Sequence, residues 1–390
     1  MTKRGVRWPA RLVAAAAAGL IFGVAAPAWA DSIRDKQWHL APLGVAAAHG
    51  VSQGEGVIVA VIDTGVDASH PDLDGNVLPG IDLTGPGDGH TDPDGHGTAM
   101  AADIAAHGHG PGNSAGVLGL APKSKILPVR FTAGQKGGDL GAGIRWAADH
   151  GAKILNVSSV SPDLSSVRDA TTYALGKGVI IVAGTGNNGS TDVGAPALYP
   201  GVVAVGGVDK NNGAWAKSNH GPETVITAPA IDIVSAKNGG GYAIENGTSD
   251  ATALVSGTAA LIWSKYPQLD ANNVINRLVA TADDKGDPGR DPQYGYGVIN
   301  PGKALTVDVP AVTSNPLLAV STPAPSQKPT TAAAAPASSS ASPSSSAVVI
   351  IVVVAVLTVV VAAAVVLVVV AKARRRRRGA YGAIPQGPGD

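Results

Sequence analysis

Five short and almost wholly apolar runs constrain the fold of this chain more than any other feature. Runs of this length and composition are typical of strands that are buried on both faces of a parallel sheet. Segments with helical spacing, residues 139–150 and 164–177, lie between some of them. The alternation predicts an α/β fold in which a mostly parallel sheet lies between layers of helices. The runs are residues 56–62, 125–130, 153–157, 178–183 and 202–205.

The first apolar run is followed by Asp63, so this carboxylate lies at the carboxyl end of a predicted strand. Ligand sites in open parallel sheets lie off that edge. Asp63 is therefore a candidate site residue.

A second candidate, Ser249, precedes a helix of small residues that continues to Ala260. Small side chains allow a helix to lie deep in a core, and Gly247 is expected to let the backbone turn sharply before the serine. A hydroxyl at a helix N-terminus lies beside unpaired N–H groups, where a nucleophile next to a developing oxyanion is well placed. Taken alone, however, the segment favours a simple helix cap formed by Thr248 or Ser249.

His96 makes the nucleophile interpretation stronger. A nucleophilic serine needs a base that accepts its proton and a carboxylate that holds the imidazole in one tautomer. Asp63, His96 and Ser249 follow one another in one of the chain orders in which such triads occur, and each lies in a segment with glycine and threonine.

These three segments resemble the Asp, His and Ser segments of the subtilisin-like serine proteases, the subtilases. The resemblance extends over roughly residues 37–305. It implies the three-layer subtilisin-like fold and peptide-bond hydrolysis through an acyl-enzyme, with no cofactor required for catalysis. It also implies that Asp63 orients the histidine, that His96 is the general base and then the general acid, and that Ser249 is the nucleophile.

Residues 183–189 resemble the oxyanion segment of the same family, and Asn187 is the matching residue. The resemblance implies that its side-chain amide and the Ser249 N–H bind the oxyanion of the tetrahedral intermediate. Asn188 is the alternative donor because the two asparagines are adjacent, and the pair is also typical of a plain turn.

Substrates of this family bind as an added strand, and the matching segments here are residues 130–134 and Ser158-Ser159-Val160. Val160 replaces the usual glycine, so its side chain is expected to narrow the primary pocket. Asp250 replaces a residue that is more often apolar. Its carboxylate either raises the pKa of His96 or points into solvent.

A structural calcium site is a further implication of the resemblance. Asp72 and Asn113 fall in segments that match the calcium ligands and ligand loop of the family, and their oxygens suit this cation. The alternative is a turn without metal. His107 and His109 lie nearby, but two histidines alone are more typical of solvated loops than of a metal site.

The two ends of the chain differ from its centre. Residues 1–30 have the basic start, apolar run and Ala-x-Ala ending of a signal peptide, with an uncleaved anchor as the alternative. Positive residues flanking a membrane helix stay in the cytoplasm, so the basic C-terminus is expected to be cytoplasmic and the catalytic domain to lie outside the cell membrane. The predicted parts are the signal peptide, a peptidase domain (31–311), a Pro/Ser/Ala/Thr-rich linker (312–346), one transmembrane helix (347–371) and a basic tail (372–390).

This layout resembles the mycosins, membrane-anchored subtilases associated with type VII secretion. Residues 31–55 are too few for an inhibitory prodomain. The resemblance implies protein or peptide substrates and secretion components as partners, and a formal net charge of zero gives no indication of nucleic-acid binding. The alternative function is a structural subunit of a secretion complex in which catalysis is dispensable.

Overall fold

A seven-stranded sheet lies at the centre of the computed structural model, which describes residues 33–133 and 136–318. All six strand pairings in it are parallel. The predicted parallel sheet is therefore confirmed. In the order in which they lie side by side, the strands are β11 (Ile226–Pro229), β10 (Val203–Val208), β9 (Ile180–Gly184), β8 (Ile154–Val157), β1 (Ile58–Asp63), β5 (Lys125–Arg130) and β2 (Ile81–Asp82).

All five apolar runs became strands of this sheet, with ends that differ from the predicted ends by at most three residues. Six further short strands form three antiparallel hairpins outside it. They are β3 (His107–His109) with β4 (Ala115–Leu118), β6 (Thr132–Ala133) with β7 (Lys136–Gly137), and β12 (Ile233–Lys237) with β13 (Gly241–Glu245).

Helices cover both faces of the sheet. Consecutive residues of a strand point to opposite faces, and this is visible at the end of β1. Ile62 packs close to Gly143 of α3, whereas Asp63 lies against Gly97 of α2. The helices are α1 (Val45–His49), α2 (His96–Ala105), α3 (Leu140–Asp149), α4 (Ser165–Gly176), α5 (Thr248–Lys265), α6 (Ala271–Ala280) and α7 (Pro301–Thr306).

Helix α5 is buried over most of its length, because every residue from Asp250 to Trp263 is buried. It packs on α2 and on the strands β8 to β11. Its small residues make this close approach possible: a Cβ placed on Gly257 would lie 2.6 Å from the Cβ of Leu120. The sequence prediction of a small-residue helix deep in the core therefore describes α5 well.

The packing of the domain extends beyond residue 311, into the segment whose composition suggests a linker. Val312 donates its N–H to the Asn273 side chain at 2.9 Å, and the Asn315 side chain donates to the carbonyl of Gly201 at 3.1 Å. The predicted signal peptide, the rest of the linker, the membrane helix and the basic tail lie outside the described residues. Within residues 33–133 and 136–318, no helix combines the length and the apolar character needed to cross a bilayer.

Candidate active site

Asp63 and His96 are brought into direct contact at the carboxyl end of the sheet. The Nδ1 of His96 lies 2.7 Å from the Oδ1 of Asp63, which also accepts the N–H of Thr64 at 2.8 Å. Asp63 is the last residue of β1 and its side chain is 1 % exposed. His96 is the first residue of α2 and its side chain is 28 % exposed. The carboxylate thus holds one nitrogen of an imidazole that remains accessible from the cleft.

The start of α2 reaches Asp63 because Gly97 has no side chain. A Cβ at this position would lie 2.0 Å from the carbonyl oxygen of Gly65. The N–H of Gly97 is bound instead by the Thr64 hydroxyl at 2.9 Å. Asp92 fixes the preceding loop, since its carboxylate accepts four hydrogen bonds from Asp94, Gly95 and Thr98.

Ser249 lies in the first turn of α5, where backbone N–H groups have no partner within the helix. Its hydroxyl donates to the carbonyl of Ser158 at 3.3 Å, and no hydrogen bond joins it to His96 within the described residues. Catalytic hydrogen bonds often form only when substrate is bound, and a rotation about χ1 redirects the hydroxyl. The expectation for Gly247 was wrong: its φ of −174° is extended backbone that any residue adopts, and the chain does not turn sharply there.

Asn187 is held at the start of α5 with its amide in a defined orientation. Its Oδ1 accepts both the N–H and the hydroxyl of Thr248, each at 2.9 Å. A backbone N–H only donates, so the oxygen must face Thr248 and the exposed Nδ2 must face away from it. Asn188 differs, because its Oδ1 accepts the N–H of Ser190 in the neighbouring turn at 3.3 Å. The geometry favours Asn187 over Asn188 as a donor beside Ser249.

The segment Ser158-Ser159-Val160 follows β8 and lies beside Ser249. A chain of hydrogen bonds connects it with α5: Ser256 donates to Asn156, Asn156 to Ser158, and the Ser158 hydroxyl to the carbonyl of Ser249. Val160 is 53 % exposed. The other predicted substrate segment begins at Arg130, which is paired with Asp82 at 2.8 Å, and its residue 134 lies outside the described part of the chain.

Val160 covers Gly194, which lies on a neighbouring segment. The two segments are joined by hydrogen bonds in both directions between Ser161 and Ala195. A Cβ placed on Gly194 would lie 2.1 Å from the Cγ1 of Val160. The valine side chain therefore occupies the space above this glycine.

Asp250 is buried rather than turned into solvent, which resolves the alternative left by the sequence. It is 1 % exposed, as is Asp103 on the neighbouring helix α2. The Oδ1 of Asp250 and both carboxyl oxygens of Asp103 have no hydrogen-bond partner among the described residues. The pKa of Asp250 is raised to about 8, first by burial and then by the charge of Glu245, whereas His96 lowers it.

The pKa of Asp103 is also raised well above its usual range, first by burial and then by the charge of Asp250. The nearby Ser235 hydroxyl opposes this rise in pKa, although its own proton is donated to the carbonyl of Ala99 at 2.9 Å. Unpaired carboxylates are very costly to bury. Asp250 is therefore largely protonated at neutral pH, and burial favours the neutral form of Asp103 as well.

The pKa of His96 is raised to about 10, chiefly by the charge of Asp63. Burial opposes this rise, whereas the hydrogen bond to Asp63 and the charges of Glu245 and Asp250 add to it.

Asp103 and Glu245 were not among the residues singled out from the sequence. Asp103 follows His96 by seven residues, which places both on one face of α2, and this spacing is the signal that would have identified it. Glu245 lies on a hairpin that the apolar pattern did not predict.

Asp72 and Asn113, the predicted calcium ligands, do not form an open cation site. The Asp72 carboxylate binds the Nδ1 of His109 at 2.5 Å and the N–H of Val117 at 2.8 Å. The carbonyl of Asn113 accepts a hydrogen bond from the Arg34 guanidinium at 2.7 Å. Within the described residues, no group of three or more histidine or acidic side chains is arranged to hold a metal ion.

Comparison with known proteins agrees with the resemblance to the subtilases that the sequence motifs indicate. Residues 54–297 match the model of the subtilase family. Subtilisin DY from Bacillus licheniformis is 38 % identical over 256 residues, which make up 64 % of this chain and 90 % of that protein.

Two solved structures of MycP1 are similar in fold. The structure of MycP1 from Mycobacterium smegmatis is 31 % identical, with a TM-score of 0.61, and the match covers 70 % of this chain and 85 % of that one. The structure of MycP1 from the ESX-1 type VII secretion system is also 31 % identical, with a TM-score of 0.63, and the match covers 72 % and 88 % of the two chains.

Replacing Asp250 by asparagine is expected to change the pH dependence of both stability and activity. Folding raises the pKa of this acid, so between about pH 4 and about pH 8 the folded chain keeps a proton that the unfolded chain has lost. The free energy of unfolding therefore falls as pH rises through this range. Asp250→Asn removes this slope, which is at most about 1.4 kcal/mol per pH unit for one group. The acid limb of kcat/KM moves to lower pH, because a negative charge near His96 is lost.

Urea unfolding from about pH 4 to about pH 8 checks the first expectation, and kcat/KM measured from neutral pH through the His96 pKa of about 10 checks the second. Asp287→Asn, at an exposed position, is the matched control and leaves both profiles unchanged. Identical profiles for Asp250→Asn and the wild type would contradict a buried, protonated Asp250.

Proposed function

Because this chain belongs to the subtilase family of serine endopeptidases, we propose that it hydrolyses peptide bonds with Asp63, His96 and Ser249 as its catalytic triad. The observation that carries the proposal is the 2.7 Å contact between Asp63 and the Nδ1 of His96. It fixes the tautomer in which the second nitrogen, Nε2, is free to accept a proton. Ser249 follows from its place in the first turn of α5 beside Asn187.

In the proposed reaction, the Oγ of Ser249 attacks the carbonyl carbon of the scissile bond and its proton passes to the Nε2 of His96. The oxyanion is bound by the Ser249 N–H and the Nδ2 of Asn187. The intermediate collapses to an acyl-enzyme when His96 returns the proton to the leaving amine. Water then repeats the two steps, with His96 again as base, and releases the acid.

The hydrolysis needs deprotonated His96, whereas Asp63 raises the pKa of this residue to about 10. We therefore expect activity that increases from neutral into alkaline pH. The buried acids Asp250 and Asp103 favour this behaviour only after they ionise, because a neutral carboxyl has little effect on the imidazole.

The proposed primary pocket lies between the segment 158–160 and Asn187, with Gly194 at its far end. Val160 fills part of this space, since its Cγ1 covers Gly194. The pocket therefore suits small side chains before the scissile bond, such as that of alanine, and excludes aromatic ones.

We propose further that the enzyme is anchored in the cell membrane by the apolar stretch of residues 347–371, with its catalytic domain outside. The apolar length and the basic residues that follow it support this topology. The likeness to MycP1, including the structure from the ESX-1 system, supports type VII secretion components as partners. It also supports the second candidate function, a structural role in a secretion complex that does not need catalysis.

Labelling of intact cells with a membrane-impermeant fluorophosphonate tests activity and topology together. The probe is expected to label the wild-type chain, because it reacts with an activated serine, and not to label Ser249→Ala, whose folding is checked by thermal unfolding. Lack of wild-type labelling in both intact and lysed cells, while a known serine protease reacts, would contradict the triad. Labelling only after lysis would contradict the topology. Secretion that needs the protein but not Ser249 would favour the structural role.

Asn187→Ala is expected to lower kcat by about 10²–10³-fold with little change in KM, because the lost donor acts mainly in the transition state. Asn188→Ala is the matched control, since this neighbour is engaged in a turn, and it retains nearly full activity. Steady-state kinetics on one peptide substrate measure both. The assignment is wrong if the Asn188 variant has the larger loss.

Val160→Gly is expected to raise kcat/KM for substrates with phenylalanine before the scissile bond by about tenfold or more, because the removed isopropyl group frees volume above Gly194. Substrates with alanine at that position serve as the internal control and change little. A matched peptide pair assayed with both enzymes gives the ratio. An unchanged ratio would place the pocket elsewhere.

A further inference from the structure

The hairpin formed by β3, its connecting turn and β4, residues 107–118, is bound by a side chain from a distant part of the sequence. Arg34 lies in the short 3-10 turn Arg34–Lys36, about 80 residues earlier. Its Nη1 donates to the carbonyl of Asn113 at 2.7 Å, its Nη2 to that of Ala115 at 3.0 Å, and its Nε to that of Gly116 at 3.1 Å. Three carbonyl oxygens of one loop thus converge on one positive group.

Converging carbonyl oxygens next to a carboxylate are a ligand set that suits a hard cation such as Ca²⁺. The carboxylate here is that of Asp72, which lies against the same loop: a Cβ on Gly116 would be 2.0 Å from its Oδ1. The guanidinium of Arg34 supplies both positive charge and a planar set of N–H donors in the place where such a cation would bind. A calcium ion bound to the same three oxygens would lie in contact with the guanidinium, and the two like charges repel each other strongly at this distance.

The backbone of the loop also leaves space for the Arg34 side chain. Gly108 has a φ of +76°, and a Cβ there would lie 2.1 Å from the Nη2 of Arg34. Any other residue at this position would displace the guanidinium. A glycine at this position lets the planar group lie against the backbone of β3.

The remaining polar groups around the loop are also bound by protein partners. Asp72 is fully buried and divides its two oxygens between His109 and the N–H of Val117. The buried Gln37 pairs with the backbone of Leu118 in both directions, accepting at 2.8 Å and donating at 3.1 Å. The ligands that a metal ion would need are therefore already bound to donors of this chain.

We propose that Arg34 is the built-in cation of this hairpin: its guanidinium takes the place of a structural calcium ion at the segment that resembles the calcium loop of the family. The hairpin then needs no metal ion for its stability. Arg34 also ties the segment that carries it to the body of the domain.

Thermal unfolding and hydrogen exchange of the full-length protein, in EDTA and in millimolar CaCl₂, test this proposal. The wild type is expected to have one melting temperature in both solutions and unchanged amide protection at residues 107–118. Arg34→Gln is expected to lower the melting temperature by roughly 5 °C and to speed exchange in the hairpin by about tenfold or more, because charge-assisted hydrogen bonds are lost. Lys36→Gln, at an exposed position in the same turn, is the matched control and changes neither quantity.

Two results would overturn the proposal. One is a wild-type hairpin that gains protection with calcium and loses it in EDTA, with Asp72→Asn abolishing the response. The other is an Arg34→Gln hairpin that exchanges no faster than that of Lys36→Gln. Should Arg34→Gln fail to fold, Arg34→Lys keeps the charge with fewer donors and is expected to give intermediate exchange, while the wild-type comparison in calcium and EDTA needs no variant.

Discussion

The candidate active site depends on one hydrogen bond, between the Oδ1 of Asp63 and the Nδ1 of His96. Asp63 cannot move, because β1 is paired with β5 on one side and β8 on the other. His96 must therefore come to it, and it does so because the backbone at Gly97 approaches β1 more closely than any side chain would allow. The position of the imidazole is thus set by the backbone at the start of α2, and the loop bonds of Asp92 hold that backbone in place.

Several acidic side chains surround the imidazole of His96, and their protonation states determine how much negative charge it meets. Asp63, Glu245 and Asp250 all act on His96, and each ionised group would repel the others in a buried setting. Burial raises the pKa of Asp250 and of Asp103 behind it, which favours the neutral forms of these two acids. Asp250, whose pKa is about 8, therefore adds its negative charge mainly above neutral pH.

Five of the seven strands of the sheet and the helices α3, α4 and α5 followed from local patterns, because a buried parallel strand leaves a continuous apolar run and α5 needs small residues throughout. The residues of the candidate site could be named because each lies in a distinctive glycine-rich segment. Contacts that arise only from packing could not be predicted. Asp103 meets the field of Asp250 because α2 packs on α5, and Arg34 reaches carbonyl groups about 80 residues away. The resemblance to a calcium loop identified the loop itself, but it did not predict that Arg34 would bind the carbonyl groups of the loop.

The hairpin bound by Arg34 and the imidazole of His96 are connected through α2. The segment that leaves β4 returns to the last turn of that helix, where Leu120 and Ala121 donate their N–H groups to the carbonyls of Asp103 and Ile104 at 3.0 and 2.7 Å. These are among the carbonyls that a helix C-terminus leaves without a partner. A hairpin held by Arg34 therefore satisfies the far end of the helix whose first residue is His96. In a chain without cysteine, hydrogen bonds from side chains to distant backbone groups connect remote segments. At this hairpin they stabilise the helix that positions His96, the proposed base.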